Sequence, residues 1–285
     1  MAWLHAQSNA INLAVLTPTT EDSDYPVSNA TILPITKAWR TTSVASPQEL
    51  LINFGGFDAS FGKRLAPLEH PSRVVGGVSQ YRMRPVDYYA AQSVDIIALV
   101  NHNISEDAAI GVAAGTTSAC SDFSQSMTWR ELLAFLYLST PLVYQFWKIT
   151  IDDPTNADGY IKVGYVMIGR LTIPDFIFRQ GWTSSPVMSN QQANSQYAVS
   201  YAAAKSRYQL IALPFGPLRS DDIATLETLH STAQGSALPI LFIPDTVGSD
   251  AYFGRIQNML STKTHTAQYQ YTTINLREDG YGRQR

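Results

Sequence analysis

The stretch FWKITIDDPTNADGYIKVGYVMIG, residues 146–169, decides the fold. Phe146, Lys148 and Thr150 alternate with Trp147, Ile149 and Ile151. Aromatic and β-branched residues at period two describe a strand with one face in a core. Asp152 to Gly159 cannot continue it, because Pro154 has no N–H for a ladder, Asp and Asn side chains close Asx turns, and Gly159 tolerates positive φ. The chain re-enters a strand from Tyr160 to Ile168, so that the stretch taken alone predicts a long-looped hairpin.

Working outward, residues 38–42 (AWRTT), 48–55 (QELLINFG) and 94–105 (VDIIALVNHNIS) add a tryptophan-led start, a short alternating strand and an almost continuous apolar run broken only by Asp95. A run of that kind fits a strand buried on both faces. Together with the Asp-Pro-x-Asn-x-Asp-Gly-Tyr-Ile turn and the closing Ile168-Gly169-Arg170, these segments resemble minor tail or tail-tip proteins of long-tailed bacteriophages. In those proteins the corresponding stretch closes a discoidin-like, galactose-binding-type jelly roll. The resemblance spans roughly residues 25–170. It implies a mainly β chain in which a discoidin-like jelly-roll β-sandwich is followed by a smaller α+β domain.

Composition limits the remaining classes. A chain of 285 residues, 45% of them hydrophobic, is long enough for two cored domains. Charged residues make up 15%, below the usual quarter, which suits assembly-forming or sugar-facing β proteins. A net charge of −3 offers no basic field, so no nucleic-acid partner is expected. The lone Cys120 excludes an intrachain disulfide. Neither a basic, signal-like N-terminus nor an apolar run long enough to span a bilayer is present, so no membrane insertion and synthesis in a host cytoplasm are expected.

The chain divides into an N-terminal arm or strand (residues 1–24), the jelly roll (25–172), a polar linker rich in Ser, Asn, Gln and Ala (173–206) and a C-terminal domain (207–285). Residues 11–16 suggest a first strand without an evident partner. Residues 55–87, rich in Gly, Pro and Arg, read as a long loop or one holding its own hairpin, and as a candidate for subunit contacts. Thr128 and Glu131 form a T-x-x-E pattern ahead of Leu132, Leu133, Phe135, Leu136 and Leu138, which predicts a short helix over 128–138. In the C-terminal part, a strand at 208–213, a helix capped at Ser220 or Asp221 and running to His230, a buried strand at 239–243 and a closing pair at 251–257 and 267–276 are expected. That order resembles the tail-tube-like barrel domain with which phage tail proteins build rings.

Catalytic motifs are missing. No G-x-S-x-G, G-x-x-x-x-G-K-[ST] or G-x-G-x-x-G occurs, and the five histidines lack metal-ligand spacing, so no catalytic residue, metal or cofactor is expected. The cluster Asp152, Asp153, Asn156 and Asp158 has three readings: a hydrogen-bonded turn, an oxygen-ligand ion site, or paired carboxylates for glycoside hydrolysis. Turn chemistry alone accounts for every residue there. Trp39 and Arg40, with Asn101, His102 and Asn103 at a strand end, form a candidate carbohydrate site, because an aromatic face beside charged hydrogen-bonding groups suits a pyranose. The competing reading buries Trp39 in the core and ties Arg40 into an ion pair.

The expectation is therefore a non-enzymatic virion component of a tail tip or baseplate. Its partners would be itself in a closed homo-oligomer, other tail-tip and tail-tube proteins, and a host surface glycan. A carbohydrate-binding module is the alternative, and a glycan-degrading enzyme the third.

Overall fold

The computed structural model describes residues 1–33, 35–55, 73–75, 78–80, 91–174, 182–194, 200–244, 250–257, 263–266 and 269–278. The chain is mainly β, and among the described residues there is one short α-helix and every strand pair is antiparallel. Two sheets make a sandwich. One has the order β2 (Val15–Pro18), β4 (Gln48–Asn53), β11 (Phe146–Asp152), β8 (Ala109–Gly115) and β9 (Phe123–Ser126); the other runs β10 (Leu133–Tyr144), β7 (Gln92–His102), β12 (Lys162–Gly169), β3 (Trp39–Arg40).

The alternation in β11 does what its sequence dictates. Trp147, Ile149 and Ile151 are buried, while Phe146, Lys148 and Thr150 are only half-buried. Trp147 packs edge-on to Tyr144 at 6.0 Å and beside Phe123 at 6.3 Å, in a core with Trp39, Leu50, Ile52, Ile97, Leu99 and Val163. Each such side chain contributes about 1.5–3 kcal/mol through its burial.

The four-stranded sheet has a second apolar face. Ile96, Ala98 and Val100 of β7, with Phe135, Tyr165 and Met167, pack against Ala2 and Leu4 of β1 (Ala2–His5) and against Leu241, Ile243 and Phe253. These belong to a third sheet, ordered β1, β15 (Ile240–Ile243), β16 (Tyr252–Ile256), β18 (Tyr269–Glu278), β14 (Ser200–Leu218), β13 (Thr183–Asn194), with β17 (Lys263–Thr266) beside β18. On its far face Ile223, Leu226 and Leu229 of helix α1 (Ser220–Thr232) meet Leu213, Phe215, Phe242 and Leu276. The result is four layers: sheet, sheet, sheet, helix. Arg130, on the loop before β10, ties two of them together by donating to Ala251 O, with its guanidinium 4.7 Å from the Tyr252 ring.

Several expectations are corrected. Residues 146–169 are not a hairpin: β11 pairs with β4 and β8, β12 pairs with β3 and β7, and residues 153–161 cross from one sheet to the other. No helix forms at 128–138: residues 133–138 belong to strand β10, where Leu133, Phe135 and Tyr137 face one core and Ala134, Leu136 and Leu138 the other. Thr128 does not cap a helix but bridges Phe135, through N–H···O contacts of 2.7 and 2.9 Å. The tract expected as a linker holds the paired strands β13 and β14. The third sheet runs from β1 to β13 without a closing pair among the described residues, so it is an open sheet there rather than a barrel.

The strand expected over residues 11–16 begins only at Val15, as β2, and pairs with β4, while Ile11 lies in a 3-10 turn and β1 precedes both. The N-terminal residues serve both halves, since β1 joins the third sheet and β2 the sandwich. Asn9 does the work of a missing strand beside β12: its side chain donates to Val166 O (2.7 Å) and accepts from Ile168 N (2.9 Å). Within residues 55–87, β5 (Arg73–Val75) and β6 (Val78–Gln80) pair as a small hairpin. The subunit contacts expected of that loop otherwise fall outside the described residues.

Candidate functional site

One end of the sandwich gathers the end of β7, the starts of β8 and β12 and the end of β11. Its loops are sewn together by amide and carboxylate side chains. Asn103 donates to Asp158 Oδ2 (2.8 Å) and Tyr160 O (2.9 Å) and accepts from Lys162 N (2.7 Å). Asn156 donates to Asn103 O (2.9 Å) and Asp153 Oδ2 (2.8 Å), and accepts from Asp158 N (3.0 Å). Asp153 Oδ2 also accepts from Ser105 N (2.8 Å), whereas its Oδ1 is buried without a hydrogen-bond partner among the described residues. Asp153 and Asn156 are therefore internal staples between the 103–108 and 153–161 loops. Turn chemistry explains them, and Asp152 stays in the ladder opposite Ala109. No cluster of three metal-ligating side chains occurs among the described residues.

The five residues expected at a carbohydrate site are brought near one end of the sandwich, but as parts of the scaffold. Trp39 is 0% exposed, so its ring has no open face for a sugar. His102 is buried, accepts from Ile104 N through Nδ1 (3.2 Å) and lies 6.4 Å from the Trp129 ring. Asn103 is spent on the loop staple. Asn101 takes φ 55°, a left-handed conformation that Asn tolerates, and donates to Ile35 O (3.0 Å). Gly164 lies alongside, where a Cβ would come within 2.6 Å of Ile35 O; the close approach requires glycine. Burial removes Trp39, His102 and Asn103 from any first contact with a sugar.

Arg40 is the exception. Its guanidinium lies 3.6 Å from the centroid of the Tyr160 ring and 5.4 Å from that of Tyr25, with Nε 3.7 Å from Asp22 Oδ2. Arg40 and Asp22 keep 34% and 28% of their side-chain surface, and Tyr25 is 42% exposed. Backbone contacts fix the group: Asp22 N donates to Arg40 O (2.9 Å) and Arg40 N to Tyr25 O (3.0 Å). The arrangement offers aromatic surface beside a cation and a carboxylate at a half-open loop end. Sequence reading missed Tyr25, Asp22 and Tyr160, because nothing local in Asp24-Tyr25-Pro26 or Gly159-Tyr160-Ile161 announces that they meet.

Cys120, at φ 52°, is buried, and burial pushes its thiol above the usual range. It has the environment of an inert structural thiol. No helix among the described residues is long and apolar enough to cross a membrane.

No protein-family model matches the chain, and no curated protein sequence does. Distant likeness to solved carbohydrate-binding modules is found. The chain is similar to the family 32 module of Clostridium perfringens NanJ solved with galactose, at 17% identity, over 55% of this chain and 94% of that one, with a TM-score of 0.36. It is similar to chitosan-binding module 1 from a chitosanase/glucanase of Paenibacillus sp. IK-5, at 9% identity, over 57% and 98%, with a TM-score of 0.37. A Streptococcus pneumoniae fucose binding module is similar at 8% identity, over 57% and 98%, with a TM-score of 0.37.

Proposed function

We propose that this chain binds glycan at the loop end of its sandwich, as a recognition module rather than an enzyme. The observation that carries the reading is the group Tyr25, Arg40, Tyr160 and Asp22: two rings, a guanidinium and a carboxylate, held by backbone hydrogen bonds and still partly open to solvent. Rings supply flat apolar surface for a pyranose face, and the charged groups supply strong hydrogen bonds to hydroxyls. Because the loops beneath are stapled by Asn103, Asp153 and Asn156, little ordering entropy remains to be lost on binding. The test is a printed array of bacterial surface polysaccharides and animal glycans probed with the purified protein. Retained glycans support the reading, and an array without retention counts against it.

A second reading makes the chain a structural subunit of a phage tail tip or baseplate, which the sandwich would decorate. One observation favours an assembly subunit: the sandwich shares an apolar core with the third sheet instead of hanging from a linker, as a rigid building block requires. Purified particles that contain the protein in fixed copy number would support it, and particles without it would rule it out.

A further inference from the structure

We propose that β13 is an association edge, and that its partner is β13 of a second copy of this chain. An antiparallel sheet ends in strands whose outward N–H and C=O groups invite another strand, and proteins blunt such edges by shortness, charge, proline or bulges. Five of the edges described here are blunted. β1 is four residues long and its outer side is bridged to Thr172; β2 and β9 have four residues and β3 has two. β10 carries Pro141 and a register shift between Tyr137 and Leu142.

β13 differs from all of these. It has 12 residues, its one neighbour among the described residues is β14, and the bulge in that pair falls on the β14 side at Lys205. After Pro186 its sequence, VMSNQQAN, runs without proline or charge. Among the described residues β18 reaches β14 only along residues 210–218, so that residues 186–194 and 200–209 form a two-stranded arm there. An isolated two-stranded hairpin is marginal in water, and a third strand supplies what it lacks.

The absence of charge identifies the partner. Across a two-fold axis identical strands meet antiparallel, and any charge near the axis faces its own copy. An uncharged strand is the kind that can pair with itself. This contact does not depend on glycan binding, and it gives the assembly reading its interface.

Light scattering on the full chain, eluting from a sizing column, tests it. Wild type is expected at an even multiple of the chain mass. Gln191 and Gln192 stand opposite Ala203 and Ala202 of β14, so the register sets no charged residue opposite them within the arm. The double variant Gln191→Lys, Gln192→Lys and its counterpart Gln191→Glu, Gln192→Glu are each expected to run at half the wild-type mass with unchanged circular dichroism. Mixing the two is expected to restore association, and salt to weaken that restoration. A monomeric wild type, variants that associate like wild type, or a mixture that stays dissociated would each overturn the proposal.

Discussion

The guanidinium of Arg40, at the end of strand β3, sits 3.6 Å from the ring centroid of Tyr160, on the loop before β12. With Tyr25 on another side and Asp22 within 3.7 Å, Arg40 both anchors the N-terminal segment and shapes the open end of the sandwich. Arg40→Ala is expected to lower stability by about 1–2 kcal/mol, through lost ring contact and stem packing. Arg40→Lys should recover only part of it, because an ammonium does not stack as a planar fork does. Denaturant titration of the three proteins measures this.

Asn156 is buried and its amide holds Asn103 O and Asp153 Oδ2. Asn156→Ala leaves a buried carbonyl unpaired and is expected to cost about 1–3 kcal/mol. The same staple predicts that EDTA leaves the melting temperature unchanged, since the turn is held by its own amides. A drop in Tm on chelation, reversed by calcium, would return the cluster to the ion-site reading.

Leu4 is 1% exposed and lies in the core between the four-stranded sheet and the third sheet. Leu4→Ala is expected to cost about 2–5 kcal/mol. Because that core is shared, calorimetry should show one transition that moves as a whole. Two separate transitions, of which only one shifts, would contradict a single cooperative body.

Much of this arrangement was legible in the sequence where one face of a strand is buried. The period of two in β11 and the apolar run of β7, broken only by Asp95, gave their burial correctly, and Trp39 took the core position weighed for it. β10 was misread for a physical reason: a strand clothed on both faces loses its alternation, and Leu-Leu-Ala-Phe-Leu-Tyr-Leu then looks the same as a helix. Sheet membership was not legible either, since nothing local in residues 146–169 tells a hairpin from a crossing between sheets. Tyr25, Arg40 and Tyr160 come together only once β3 pairs with β12.

Asp95 accepts from Leu171 N at 2.6 Å in a buried position, and burial pushes its pKa above the ordinary 3.8. A carboxyl whose folded pKa is raised binds its proton more tightly in the folded state than in the unfolded one. Its contribution to stability is therefore full below about pH 3.8 and is lost as pH rises through the folded value. Asp95→Asn keeps an acceptor for Leu171 and has no charge to bury. Relative to wild type, the variant is expected to gain stability as pH rises from about 4 to 7. Denaturation curves across that range check the sign, and a relative loss with rising pH would contradict it.

The most direct measurement of the central claim is calorimetric titration of a glycan retained on the array into wild type and Tyr25→Ala. Tyr25 is 42% exposed, so its removal should leave folding intact. Saturable binding to wild type is expected, and binding at least about tenfold weaker to the variant, which corresponds to about 1.4 kcal/mol. Equal affinity in the two proteins, at unchanged stability, would contradict a glycan site at the Tyr25, Arg40 and Tyr160 end of the sandwich.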